Sequence, residues 1–283
     1  MRANPPPDAG EEFWRDFLTQ GHTAERRLRL LFKRLPHEPR CRLCASPFAG
    51  PAAPVMRLVG KGPARQNPTT CAQCFRFIST HRGGAEVEAS MLFADIRGST
   101  TIAEGMSPSA FRVLLDRFYT IASKVVFEHN GTLDKFVGDE LVALFLPLFS
   151  GDDHALQAVN AGKALLRATG HEEPGGPWVP IGAGVHTGLL WYGAVGQGEF
   201  VELTALGDAM NTTARLASTA RAGEVLVTTA SAEAAGLDPR LPRRSLELKG
   251  KQLTTEVVTI RVGPALEEPA ASLTPPVGPD SPG

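Results

Sequence analysis

The sequence predicts an α+β chain, with strands and helices mixed in one large domain from about residue 84 and a small helical, four-cysteine unit ahead of it. Three observations carry this expectation. Strand-like and helix-like segments alternate from "AEVEASMLFADI" onward. Two apolar runs meet at Gly138-Asp139 in the manner of a hairpin. Two Cys-x2-Cys pairs, separated by 26 residues, sit in a stretch punctuated by Gly and Pro. A length of 283 residues accommodates one full-sized domain with an appendage, and 42% hydrophobic and 21% charged residues are typical of a folded globular chain.

Charge excludes some partners. Lys+Arg 29 against Asp+Glu 30 leaves a formal charge of -1, which removes the global electrostatic case for a nucleic-acid or membrane-surface protein. The opening "MRANPPPDAGEEFWRDF" has no apolar core of a signal peptide, and no stretch approaches the roughly 18 apolar residues of a spanning helix. A cytoplasmic location is expected, where four cysteines suit metal binding or redox work better than structural disulfides.

Taken in order, residues 1–80 should hold two short helices and the cysteine unit. "EEFWRDFLTQ" and "HTAERRLRLLFKRL" show helical spacing of Phe13, Trp14, Phe17 and Leu18, then Leu28, Leu31 and Phe32, with the Arg/Lys-rich side of the second facing solvent. The segment from Cys41 to Cys74 reads as loop. Beyond it, Ser107 caps a helix with Pro108 in its first turn and Asn130-Gly131 at its stop. Phe111, Leu114, Leu115, Phe118, Ile121, Ala122, Val125 and Val126 form its apolar stripe. The hairpin "TLDKFVGDELVALF" follows, with Asp139 at its tip, then a helix over about 152–168 and the strand "VPIGAGVHTG". Next come a hairpin in "LLWYGAVGQGEFVELTALG", the helix "DAMNTTARLASTA", the strand "EVLVTT", a short helix "SAEAAG" and a hairpin turning at Lys249-Gly250-Lys251. The Pro-rich tail, 264–283, is expected to lack fixed structure.

Chemistry concentrates in a few places. Asp95 ends an apolar strand and is followed by Arg97-Gly98-Ser99-Thr100, where fresh helix N–H groups meet an acid: a carboxylate for a cation beside amides for a phosphate. Asp139 offers a second carboxylate, although two aspartates at turns are by themselves more often turn formers than ligands. Asn211 and Arg215 stand at i and i+4 on one helix face, one able to orient a sugar and the other to neutralise phosphate.

"FADIRGST", "DKFVGDELVALF", "IGAGVHTG", "LTALGDAMNTTARLAS" and "LELKGK", in this order over 84–263, resemble the catalytic domain of class III nucleotidyl cyclases, the adenylate/guanylate cyclase family. The resemblance implies a ferredoxin-like fold with a central, mostly antiparallel sheet and flanking helices. It implies that Asp95 and Asp139, with the Ile96 carbonyl, bind two Mg²⁺ or Mn²⁺ ions, that Lys135 and Thr204 read the base, that Asn211 positions the ribose, and that Arg215 stabilises the transition state. Lys251 is a candidate phosphate contact with an equal claim as a turn lysine. A lysine donor beside a hydroxyl matches adenine, so ATP is the expected substrate and cyclic AMP with pyrophosphate the products. The family's sites form between two chains, which makes a homodimer the expected partner. The competing readings are a guanylate cyclase and a silent cyclase-fold dimer that serves as a zinc-dependent sensor.

Cys41, Cys44, Cys71 and Cys74 supply a full tetrahedral thiolate set for structural zinc, although redox thiols, an iron–sulfur cluster and unliganded cysteines remain open. "VGKGPAR" is no phosphate-binding loop. His186 is expected to be a satisfied core histidine.

Overall fold

The computed structural model describes residues 7–20, 23–35, 39–196, 201–247 and 254–263. Helices α1 (Pro7–Thr19) and α2 (Thr23–Lys33) lead into α3 (Ala53–Leu58) and α4 (Ala72–Thr80). The larger domain runs β1 (Gly83–Ile96), α5 (Ser99–Glu104), α6 (Pro108–Glu128), β2 (Thr132–Val137), β3 (Glu140–Phe145), α7 (Pro147–Ser150), α8 (His154–Ala168), β4 (Ile181–Val195), β5 (Glu202–Leu206), α9 (Asp208–Thr219), β6 (Glu224–Thr228), α10 (Thr229–Ala234), β7 (Arg243–Leu246) and β8 (Thr255–Arg261). Among the described residues no helix is long and apolar enough to cross a membrane.

One sheet organises all of it, in the order β2-β3-β1-β4-β6-β8-β7, with β5 pairing β4 off that path. Every pairing is antiparallel except β4 with β6. The α+β expectation of a mostly antiparallel sheet with flanking helices is met. β1 is an interior strand, between β3 and β4, and its alternate side chains are apolar on both faces. Leu92, Ala94 and Ile96 join Phe118, Ala122, Val126, Val159 and Leu165 of α6 and α8. Val87, Ala89, Met91 and Phe93 point the other way, into a core shared with α9 and the N-terminal unit.

That second core holds the main surprise of the architecture. Trp14 and Leu18 of α1 are fully buried with Cys41, Leu43, Cys71, Met91 and Leu144, so the cysteine unit and the sheet share one apolar core. Burying side chains of this size contributes roughly 2 to 3 kcal/mol each. In α2 the periodicity misleads. Leu31, expected on the packed side, is 55% exposed, whereas Arg29 is 3% exposed. Arg29 is drawn in by the carbonyls of Leu43 and Gly131, to which it donates, and by the Phe149 ring, 4.0 Å from its guanidinium carbon.

The stretch read as loop between the cysteine pairs contains α3, and α4 starts directly at the second pair, where the Cys71 sulfur caps the helix by accepting from Cys74 N. "GVHTG" and "LLWYGAV" form one continuous strand, β4, whose second half makes the hairpin with β5. Ser107 does cap α6, accepting from Ala110 N, and Asn130 ends it with φ 62. The hairpin turn at Lys249-Gly250-Lys251 lies outside the described residues, as does the tail.

Candidate active site

Two groups of polar side chains stand on the sheet. The first is at the tip of the β2–β3 hairpin. Gly138 adopts φ 61, as a two-residue turn requires, and Asp139 follows it. Register sets Asp95 opposite Glu140, which brings Asp139 within hydrogen-bonding reach of Asp95. Burial, then the hydrogen bond with Asp139, pushes the Asp95 carboxyl up to about 6, although Arg97 works against the shift. Burial and the charges of Asp95 and Asp139 push Glu140 up to about 7. Asp139 Oδ2 is buried without a hydrogen-bond partner.

Three crowded acids with an orphaned oxygen have the chemistry of a divalent-cation site, since a cation would relieve the repulsion and occupy the free lone pair. The Ile96 carbonyl belongs to the same strand end. Arg97 pairs with Asp95 and donates to the Ser218 carbonyl at 2.7 Å, tying the acid to the end of α9. Tyr119 of α6 stacks on Phe136, with ring centroids 3.9 Å apart, and donates to the Gly138 carbonyl, holding the hairpin tip in place.

The second group joins β2 and β5. Lys135 Nζ donates to Thr204 Oγ1 at 3.0 Å, and that hydroxyl donates to Asp134 Oδ2 at 3.3 Å. Lys135 also pairs with Asp134 at 3.4 Å. Asp134 is buried. Burial raises its pKa, while Lys135 and Arg42 oppose the rise. An open cleft of about 760 Å³ beside this group is lined by Arg42, Asp134, Lys135, Phe136, Tyr119 and Glu202. Its size suits a nucleotide-sized ligand.

Asn211 and Arg215 share the outward face of α9, Asn211 exposed and Arg215 half-buried, while Ala209, Thr213, Leu216 and Ala217 face the sheet. The helix lies close because β4 carries glycine beneath it: a Cβ on Gly184 would stand 2.5 Å from Ala217 N. His186, half-buried, bonds Thr228 Oγ1 at 3.0 Å, in keeping with a structural role. Lys251 lies outside the described residues.

The four cysteine sulfurs lie within 4.8 Å of one another, two residues buried and two half-buried. Cys71 N donates to Cys41 Sγ at 3.2 Å and Cys74 N to Cys71 Sγ at 3.4 Å. Burial opposes ionisation of Cys41, but hydrogen bonds from Cys44, Cys71 and Cys74 hold its thiol well below the usual value. The arrangement is able to hold a soft divalent cation.

A family model described as the adenylate and guanylate cyclase catalytic domain matches residues 85–259. The chain belongs to that family. Among class III cyclases it is 34% identical over 146 residues to adenylate cyclase 1 of Rhizobium meliloti, a match covering 49% of this chain and 22% of that one. It is 32% identical over 133 residues to an adenylate cyclase of Anabaena cylindrica, covering 45% and 26%. These matches thus span about a quarter of the relatives' length. Among solved structures, the guanylyl cyclase Cya2 is similar at TM-score 0.56 and 28% identity, covering 66% of this chain and 97% of that one. The adenylyl cyclase CyaB from P. aeruginosa is similar at 0.55 and 26%, covering 65% and 98%. Both substrate classes thus occur among the cyclases this chain resembles.

Sequence reasoning missed Asp134, Arg42, Arg97, Tyr119 and Glu140 as members of these groups. Asp134 and Glu140 flank chosen residues in sequence and were legible as an acid beside each. Arg42, distant in sequence, carried no signal beyond its place inside a cysteine pair.

Proposed function

We propose that the protein is an adenylate cyclase, forming 3′,5′-cyclic AMP and pyrophosphate from ATP at sites completed by a second copy of the chain. The observation that carries the substrate choice is the Lys135–Thr204–Asp134 chain. Because Thr204 spends its hydroxyl proton on Asp134, its oxygen is left to accept, next to the Lys135 donor. Donor beside acceptor complements adenine N1 and its N6 amine; guanine, with N1–H and O6, presents the reverse.

Asp95, Asp139 and the Ile96 carbonyl would hold Mg²⁺ or Mn²⁺, which supply Lewis acidity at the ribose 3′-hydroxyl and at the departing phosphates. Asn211 orients the ribose so that its 3′-oxygen lies in line with the α-phosphorus. Arg215 neutralises charge that grows on the phosphate as the bond to pyrophosphate breaks. Asn211 and Arg215 of one copy then face the acids of the other, so the two polar groups of one chain serve opposite sites. Zinc at Cys41, Cys44, Cys71 and Cys74 would complete the N-terminal unit. Arg29 supports this, since a buried cation that feels the charges of Cys44, Cys41 and Cys74 is balanced by a dianionic metal tetrathiolate and left uncompensated by neutral thiols.

The test is product analysis with purified protein given ATP or GTP and Mg²⁺ or Mn²⁺, with Asp95→Ala as control. Cyclic AMP that vanishes in the variant is expected. Cyclic GMP alone would overturn the reading of Lys135 and Thr204, and no product from a verified dimer would favour the sensor reading.

A further inference from the structure

The residue between the first two cysteines reaches the base-reading pair. Arg42 is 6% exposed and splits its guanidinium between two strands, Nη1 donating to the Asp134 carbonyl at 2.9 Å and Nη2 to the Leu203 carbonyl at 3.1 Å. Those carbonyls immediately precede Lys135 and Thr204. β2 and β5 are not ladder partners, because β3, β1 and β4 lie between them in the sheet order. No backbone pairing therefore fixes the separation of Lys135 from Thr204, and a rigid fork across the gap does what a ladder does elsewhere.

The fork is itself anchored in the cysteine unit. Arg42 N donates to the Thr69 carbonyl at 3.0 Å, two residues before Cys71, and Arg42 lies between Cys41 and Cys44. A second arginine repeats the connection: Arg29 donates to the Leu43 carbonyl, also between those cysteines, and to the Gly131 carbonyl at the start of β2. Both guanidiniums thus fasten the Cys41–Cys44 turn to the strand that carries Lys135. A cation gathering the four sulfurs would fix that turn, and through Arg42 the two strands.

We infer that Arg42 is a positioning residue for base recognition: it sets the spacing of Lys135 and Thr204 and makes ATP-over-GTP discrimination depend on the filled four-cysteine cluster. This rests on the reading of Lys135 and Thr204 as the base-reading pair. Asp95, Asn211 and Arg215 stand on β1 and α9, so losing the fork is expected to disturb selectivity before chemistry.

The test uses full-length protein and nucleotides lacking the attacking hydroxyl. Dissociation constants for 3′-deoxy-ATP and 3′-deoxy-GTP would be measured for the wild type, Arg42→Ala, Arg42→Lys and Lys135→Ala, with zinc content determined for each. Arg42→Lys keeps a buried cation but replaces the planar fork, with one nitrogen for each carbonyl, by a single nitrogen on a flexible stem. It is expected to retain its zinc and to lose about tenfold in the ATP:GTP binding ratio, as Arg42→Ala should. Chelation of the wild type should lower the ratio in the same way. If Lys135→Ala shifts the ratio while zinc-loaded Arg42→Lys leaves it at the wild-type value, the inference is wrong and the base reading stands. An unchanged ratio in Lys135→Ala overturns the base reading, and the inference with it. Equal weakening of both nucleotides by Arg42→Lys would mark Arg42 as merely structural and also overturn it.

Discussion

Asp139 keeps a buried oxygen without a partner, and burial with mutual repulsion pushes its neighbours Asp95 and Glu140 up to about 6 and about 7. Protons on these carboxyls compete with any cation. Because both values are raised, the protons leave only as the pH passes through about 6 to about 7, so cation affinity should climb over that window and level off above it. Calorimetric titration with Mn²⁺ should show affinity at least roughly tenfold higher at about pH 8 than at about pH 5.5; equal affinities would contradict the site. The positions of both aspartates, one at a strand end and one in a turn, were legible in the sequence, but local chemistry there equally suits a turn former, and the family resemblance alone implied cation ligands. Arg29 and Arg42 were not legible. Composition and spacing mark arginine as surface, and only the carbonyls, rings and sulfurs brought together by folding make burial tolerable.

At the scale of elements, α9 depends on the glycines of β4. The helix presents Asn211 and Arg215 outward because its other face sits almost on the strand, with Gly182 under the Ala220 carbonyl and Gly184 under Leu216 and Ala217. Gly184→Ala should force the helix off the sheet, destabilise the protein by about 1 to 3 kcal/mol in denaturant unfolding, and lower kcat through displaced side chains. Unchanged stability would show that the close approach is not needed. The strand–helix order, the Ser107 cap and the Gly138-Asp139 turn follow from local chemistry and could be read in advance. The unbroken length of β4 and the short helices α3 and α4 could not. "GLLWYG" looks like a strand start once glycines are taken as punctuation, and α4 is initiated by a cysteine sulfur rather than by an ordinary cap.

For the whole molecule, the consequence is that the N-terminal unit and the sheet share a core. Deleting residues 1–80 would strip Trp14, Leu18, Cys41, Leu43, Cys71 and Ile78 from Val87, Met91, Leu144 and Tyr192. The remainder should be recovered as aggregate; a well-folded, active fragment would show that the unit is dispensable. Sequence texture marks a change near residue 84 because composition changes there, but buried contacts across that point leave no compositional trace. The family's motifs lie apart on one chain, at the β2–β3 tip, between β2 and β5, and on α9, and the proposed function combines the acids of one copy with the base, ribose and phosphate residues of another. Co-expression of Asp95→Ala and Arg215→Ala chains tests this most directly. Each variant alone should be inactive, while their mixture, with half its dimers carrying one intact site, should recover about a quarter of wild-type cyclic AMP formation. A mixture as inactive as its components would contradict the shared-site cyclase.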